Sequence, residues 1–64
     1  MLMTIQIFKI LRANPKGLNV TKIREEVEKQ EQRRISHKDV FKAIATLSYY
    51  GFIQQGNCCR YKII

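Results

Sequence analysis

Apolar positions recur with a helical period through the first three quarters of the chain and alternate near its end. Ile5, Ile7, Phe8, Ile10 and Leu11 fit a broad buried stripe on a helix over about 3–13, with Thr4, Lys9 and Arg12 keeping part of it in water. Asn14-Pro-Lys-Gly17 ends that helix, because Pro15 disfavours helix at the residue before it and Gly17 can take positive φ. Val20, Ile23 and Val27 predict a second helix over about 20–30, with Thr21, Lys22, Glu25 and Lys29 on its wet face. Glu25 and Lys29 are spaced for an i,i+4 ion pair. Leu18-Asn-Val20 can be a short extended bridge, or Asn19 can be the N-cap of the second helix, and the pattern leaves both open. The segment Glu28-Lys-Gln-Glu-Gln-Arg-Arg34 has no apolar residue and is expected to fray into a connection.

The third helix has both its ends written into the sequence, over about 37–50. Ser36 and Asp39 form a capping-box variant in which the hydroxyl accepts a first-turn N–H and the carboxylate reaches back to the cap amide. Ile35 and Val40 have the spacing of a hydrophobic staple, and Gly51 stands where a left-handed stop is expected. Val40, Ala43, Ile44 and Leu47 fall on one side as a core stripe. Lys38, Lys42, Ala45 and Tyr49 fall opposite, with Thr46 beside them. This outer row carries two cations, a small residue and an aromatic with a hydroxyl. Lysines can meet phosphates, alanine lets a groove wall come close, and tyrosine can stack or donate a hydrogen bond. The same lysines could equally do no more than solvate an exposed face.

After Gly51 the period changes. Phe52 to Gln55 reads as a strand, Gly56-Asn57 as a tight turn and Cys58 to Ile64 as the returning strand. A two-residue loop pairs Phe52 with Tyr61, whereas a three-residue loop pairs Ile53 with Tyr61. Ile53, Tyr61 and Ile63 are expected to face the core, leaving Arg60 and Lys62 outside on a basic edge strand.

Charge narrows the choice of partner. The 64 residues form one small domain by length, and their net charge of +7 favours nucleic acid, an anionic membrane or an acidic protein. The carboxylates are confined to Glu25, Glu26, Glu28, Glu31 and Asp39, so the chain before and after them is purely basic. Arg33 and Arg34 precede the capping box, where a phosphate would meet exposed N–H groups and two guanidinium groups. No run approaches the roughly 20 apolar residues of a membrane span, and residues 1–11 lack the basic start and cleavage site of a signal peptide. An intracellular protein is expected.

Helix, short bridge, helix, helix and hairpin follow in the order of a winged helix. The chain resembles the winged-helix branch of the helix-turn-helix superfamily over nearly its whole length. The resemblance rests on Pro-Lys-Gly-Leu-Asn-Val before helix two, Val40-x-x-x-Ile44-x-x-Leu47 in helix three, and Tyr-Tyr-Gly-Phe-Ile into the wing. It is similar to the C-terminal winged helices of the replication protein A middle subunit and of MCM helicases, and to small archaeal, viral and plasmid-borne regulators. The resemblance implies an α+β fold, a three-helix winged helix-turn-helix with a C-terminal two-stranded β-hairpin wing. It also implies that helix three enters the major groove and that the wing touches the neighbouring backbone. Those roles fall on Lys38, Lys42, Ala45 and Tyr49, and on Arg60 and Lys62. The proline pair and wing tryptophan of the Z-form-binding members are absent.

Other chemistry finds little support. Adjacent Cys58 and Cys59 would point to opposite faces of a strand, so they cannot grip one metal together. Two free thiols, one packed and one exposed, are expected in a reducing cytosol, with an intermolecular disulfide as the alternative. His37 has no nucleophile or carboxylate arranged around it except Asp39, which the cap uses, so a contact to backbone or phosphate fits it better than general-base work. Tyr49 and Tyr50 could form a stacking platform for single strands, but Tyr50 falls nearer the core stripe. No cofactor motif is present. The leading expectation is a non-enzymatic module for double-stranded DNA acting in transcription control, using Arg33, Arg34, His37, Lys38, Lys42, Ala45, Thr46, Tyr49, Arg60 and Lys62. The alternative is a protein-interaction module of a replication or repair assembly, docking an acidic partner. A homodimer is also open, since one small wing reads only a few base pairs.

Overall fold

Three helices come first and a two-stranded antiparallel ribbon last: α1 (Met3–Arg12), α2 (Val20–Glu31), α3 (His37–Tyr49), β1 (Ile53–Gln55) and β2 (Tyr61–Ile63). The computed structural model describes residues 3–56 and 59–64. Winged-helix architecture follows directly, with the ribbon as the wing.

The helix ends form as local chemistry dictates. Asn19 sits in extended conformation, and its side chain accepts the Lys22 N–H at 2.9 Å. Its neighbour Leu18 makes an isolated β-bridge to Tyr61, so the extended-bridge reading and the N-cap reading both hold. Ser36 accepts the Asp39 N–H at 3.2 Å, and only this half of the capping box is made among the described residues. The staple residues Ile35 and Val40 are both buried. At the end of α3, Gly51 takes φ +79°, its N–H bonds Ser48 O, and the Phe52 N–H bonds Leu47 O. These two bonds are a Schellman motif, which turns the chain and brings Phe52 back over Leu47.

One core joins the elements. Ile7, Ile10 and Leu11 of α1, Ile23 and Val27 of α2, and Val40, Ala43, Ile44 and Leu47 of α3 are buried with Ile35 and Ile53. Phe8, Leu18, Tyr61 and Ile63 pack at its edge.

Several expectations need correction. Ile5 is 46% exposed, because the buried stripe of α1 is narrower than the run of apolar residues suggests. Tyr50 is 66% exposed: the helix stops at Tyr49, so the helical period no longer carries Tyr50 toward the core. Glu25 pairs with Lys22 and Lys29 with Glu26, both i,i+3, and α2 continues to Glu31 instead of fraying earlier. It ends at Gln32, which takes left-handed φ 56° and bonds Glu28 O.

The hairpin follows neither expected register. Ile53 pairs with Ile63, Gln54 with Lys62 and Gln55 with Tyr61. The reason lies outside the hairpin: Leu18 N donates to Tyr61 O at 3.0 Å and Tyr61 N to Leu18 O at 2.8 Å. That bridge holds Tyr61 in place, and the turn widens until Gly56 N meets Arg60 O. The returning strand therefore starts at Tyr61, and Cys59 lies in the turn, exposed and with φ 57°. Asn57 of the expected tight turn and Cys58 lie outside the described residues. The faces nevertheless agree with expectation: Ile53 is buried, Tyr61 and Ile63 are half-buried, and Arg60 and Lys62 are exposed.

Candidate nucleic-acid interface

The core stripe of α3 fixes what its opposite side presents. With Val40, Ala43, Ile44 and Leu47 turned inward, Lys38, Lys42, Ala45 and Tyr49 are all exposed, Tyr49 by 84%. The Tyr49 ring meets Tyr50 edge-on, with centroids 5.2 Å apart, which orients it without burying its hydroxyl. The Thr46 hydroxyl donates to Lys42 O at 3.0 Å and is spent inside the helix. Phe41, 48% exposed, lies 6.4 Å from the His37 ring on the flank of this row. Sequence reasoning passed over Phe41, although its spacing of four from His37 and from Ala45 places it there.

The approach to α3 is organised by Glu28. Its carboxylate accepts the Ile35 N–H at 2.9 Å and an Arg24 guanidinium N–H at 3.0 Å. The Ile35 N–H chiefly holds the Glu28 carboxyl below the usual range, with Arg24 and Arg34 adding to this and partial burial opposing it. Glu28 thus clasps the connection expected to fray. Arg33 is drawn to Glu31 at 3.4 Å, whereas Arg34 makes no ion pair among the described residues and acts on Glu28 only through its charge. The two arginines expected to act together are held differently.

On the wing, Lys62 faces solvent opposite Gln54, and Arg60 is exposed at the turn. Gln54 was not singled out in sequence. Its place beside Lys62 depends on the register, to which the distant Leu18–Tyr61 bridge contributes.

Charge is segregated across the molecule. Among the described residues the ion pairs are Lys22–Glu25, Arg24–Glu28, Lys29–Glu26 and Arg33–Glu31, all on α2 or just after it. Lys38 and Lys42 on α3 and Arg60 and Lys62 on the wing have no such partner, and neither have Lys9, Arg12 and Lys16 on and after α1. Among the described residues no helix is long and apolar enough to cross a membrane.

A family description, the MCM protein C-terminal winged helix-turn-helix domain, matches residues 4–64. The chain belongs to this family. The match takes in all three helices and the wing, and it agrees with the resemblance read from the sequence. No curated protein and no solved structure matches the chain significantly. Winged helices of this kind are DNA-binding or protein-interaction modules and are typically non-catalytic.

Proposed function

We propose that this MCM-type winged helix binds double-stranded DNA, with α3 in the major groove and the wing along the adjacent backbone. The charge segregation carries the reading: α2 neutralises its own cations, while Lys38, Lys42, Arg60 and Lys62 stand unpaired on the two elements that would touch a duplex. Lys38 and Lys42 then meet phosphates or base edges, Ala45 allows close approach, and Tyr49 stacks or donates its hydroxyl. Arg34 and His37 reach the backbone near the start of α3. Arg33 joins them by giving up an exposed pair of small worth. Thr46 brings only its methyl group, since its hydroxyl is engaged. Between transcription control and a replication setting, membership of the MCM family favours the second.

Fluorescence anisotropy with a labelled duplex tests this. Six cationic phosphate contacts, from Arg33, Arg34, Lys38, Lys42, Arg60 and Lys62, give a slope of about −5.4 in log K against log salt, hence about an 1,800-fold loss between roughly 50 and 200 mM salt. Lys42→Ala should lower the slope to about −4.5, which shrinks that loss to about 500-fold. Tyr49→Ala should weaken binding and leave the slope alone. Absence of binding at low salt, or affinity indifferent to salt, refutes the reading. Parental affinity and slope in Lys42→Ala would remove α3 from the interface.

A further inference from the structure

A second surface is not explained by DNA. Between α1 and the C-terminal half of α3 runs an open groove of about 330 Å³, lined by Thr4, Ile5, Phe8, Leu47, Tyr50 and Phe52, with Thr46 at its edge. Ile5, Tyr50 and Phe52 are each about half exposed or more, at 46%, 66% and 52%. The floor is rigid. The Schellman turn fixes Phe52, and its ring meets Phe8 edge-to-face with centroids 5.8 Å apart. The lining is mostly apolar and carries no charged side chain; its hydroxyls are those of Thr4, Tyr50 and Thr46, and Thr46 has already given its proton to Lys42 O.

The rim defines the occupant. Lys9 follows Ile5 by four residues and Arg12 follows Phe8 by four, so each apolar ridge of the α1 wall runs into an exposed cation. Neither α1 nor any residue after Asp39 carries a carboxylate side chain. The carboxylate that α1 does meet, Glu31, bonds Gln6 at 3.0 Å on the side turned to α2, away from the groove. The α1 wall repeats at helical spacing, at positions 4, 5 and 8, and faces Thr46 and Leu47 of α3 and the cap residue Tyr50. Such walls accept the i, i+3 and i+4 side chains of another helix.

We infer that this groove docks an acidic amphipathic helix of a partner protein, leaving the outer row of α3 free for DNA. The inference does not depend on DNA binding, and its test is read separately. The probe is a synthetic peptide of about four helical turns with leucines at i, i+3, i+4 and i+7 and glutamates elsewhere; its control has lysine for every glutamate. Titrated into the 64-residue chain and followed by NMR, the acidic peptide should move the signals of Ile5, Phe8, Tyr50 and Phe52. It should bind at least about tenfold more tightly than the control. Ile5→Ser should weaken the peptide about tenfold and leave circular dichroism and duplex affinity unchanged. Equal binding of the two peptides, or shifts confined to Lys38, Lys42 and Tyr49, would overturn the inference. So would a concentration-dependent dimer in sedimentation that Ile5→Ser abolishes, since a second copy would then fill the groove. Movement of the groove signals by duplex DNA alone would also overturn it.

Discussion

Gly17→Ala should detach the wing from the helices. Gly17 is buried with φ +92°, and a Cβ there would lie 3.1 Å from Tyr61 O and 3.3 Å from Arg60 Cβ. Holding an L-residue in a left-handed conformation costs about 1–2 kcal/mol. The crowded atom is backbone, and it cannot retreat without stretching the Leu18–Tyr61 bridge. Each of that bridge's two hydrogen bonds, at 3.0 and 2.8 Å, is worth about 0.5–1.5 kcal/mol net. Stiffening of the unfolded chain returns about 0.4–1 kcal/mol, which leaves a net loss of about 2–4 kcal/mol. Gly51→Ala is the control, because Gly51 also has positive φ, at +79°, but a Cβ there meets nothing within 4 Å. Only the conformational term applies, and the loss should be about 1 kcal/mol. Urea denaturation of both variants reads the difference, and amide shifts of residues 60–63 report on the wing. If Gly17→Ala costs no more than Gly51→Ala, the bridge does not anchor the wing and the argument fails.

Three further outcomes are expected. Ile44, 3% exposed in the core, should cost about 2–5 kcal/mol when cut to alanine, measured by urea denaturation; a loss under about 1 kcal/mol would mean that the α3 stripe is misassigned. Gln32→Gly should raise stability by about 0.5–1 kcal/mol, since glycine accepts φ 56° without penalty, and a destabilised variant would contradict the left-handed cap. Glu28, with its folded-state pKa depressed, contributes stability that is whole above the ordinary glutamate value of about 4.3 and is lost as pH falls through the lower folded value. Glu28→Gln should therefore flatten the acid limb of the stability–pH curve, and parallel curves for the two proteins would sink that assignment.

What could be read from the sequence was what neighbouring residues decide among themselves. Asn19, Ser36 and Gly51 act within a few residues of their own positions, so the helix ends were legible. The core face of α3 was legible for the same reason, as was its outer row. Misreadings arose where a distant partner decides. The hairpin register depends on Leu18, far earlier in the chain, and the clasp at the start of α3 depends on Glu28 reaching forward to Ile35. The groove escaped notice because Ile5 and Phe8 looked like core, and Tyr50 was assigned there too. A surplus of apolar residues beyond what one stripe can bury was the available signal.

The bridge between Leu18 and Tyr61 has a consequence for the order of folding. Its partners are 43 residues apart (61 minus 18), so closing it is entropically dear until the helices have already drawn the chain together. A chain in which α3 has formed and the wing has not yet docked would offer Lys38 and Lys42 but not Arg60 and Lys62 in their final places. Full engagement of a long polyanion thereby becomes a report that the last step of assembly is complete.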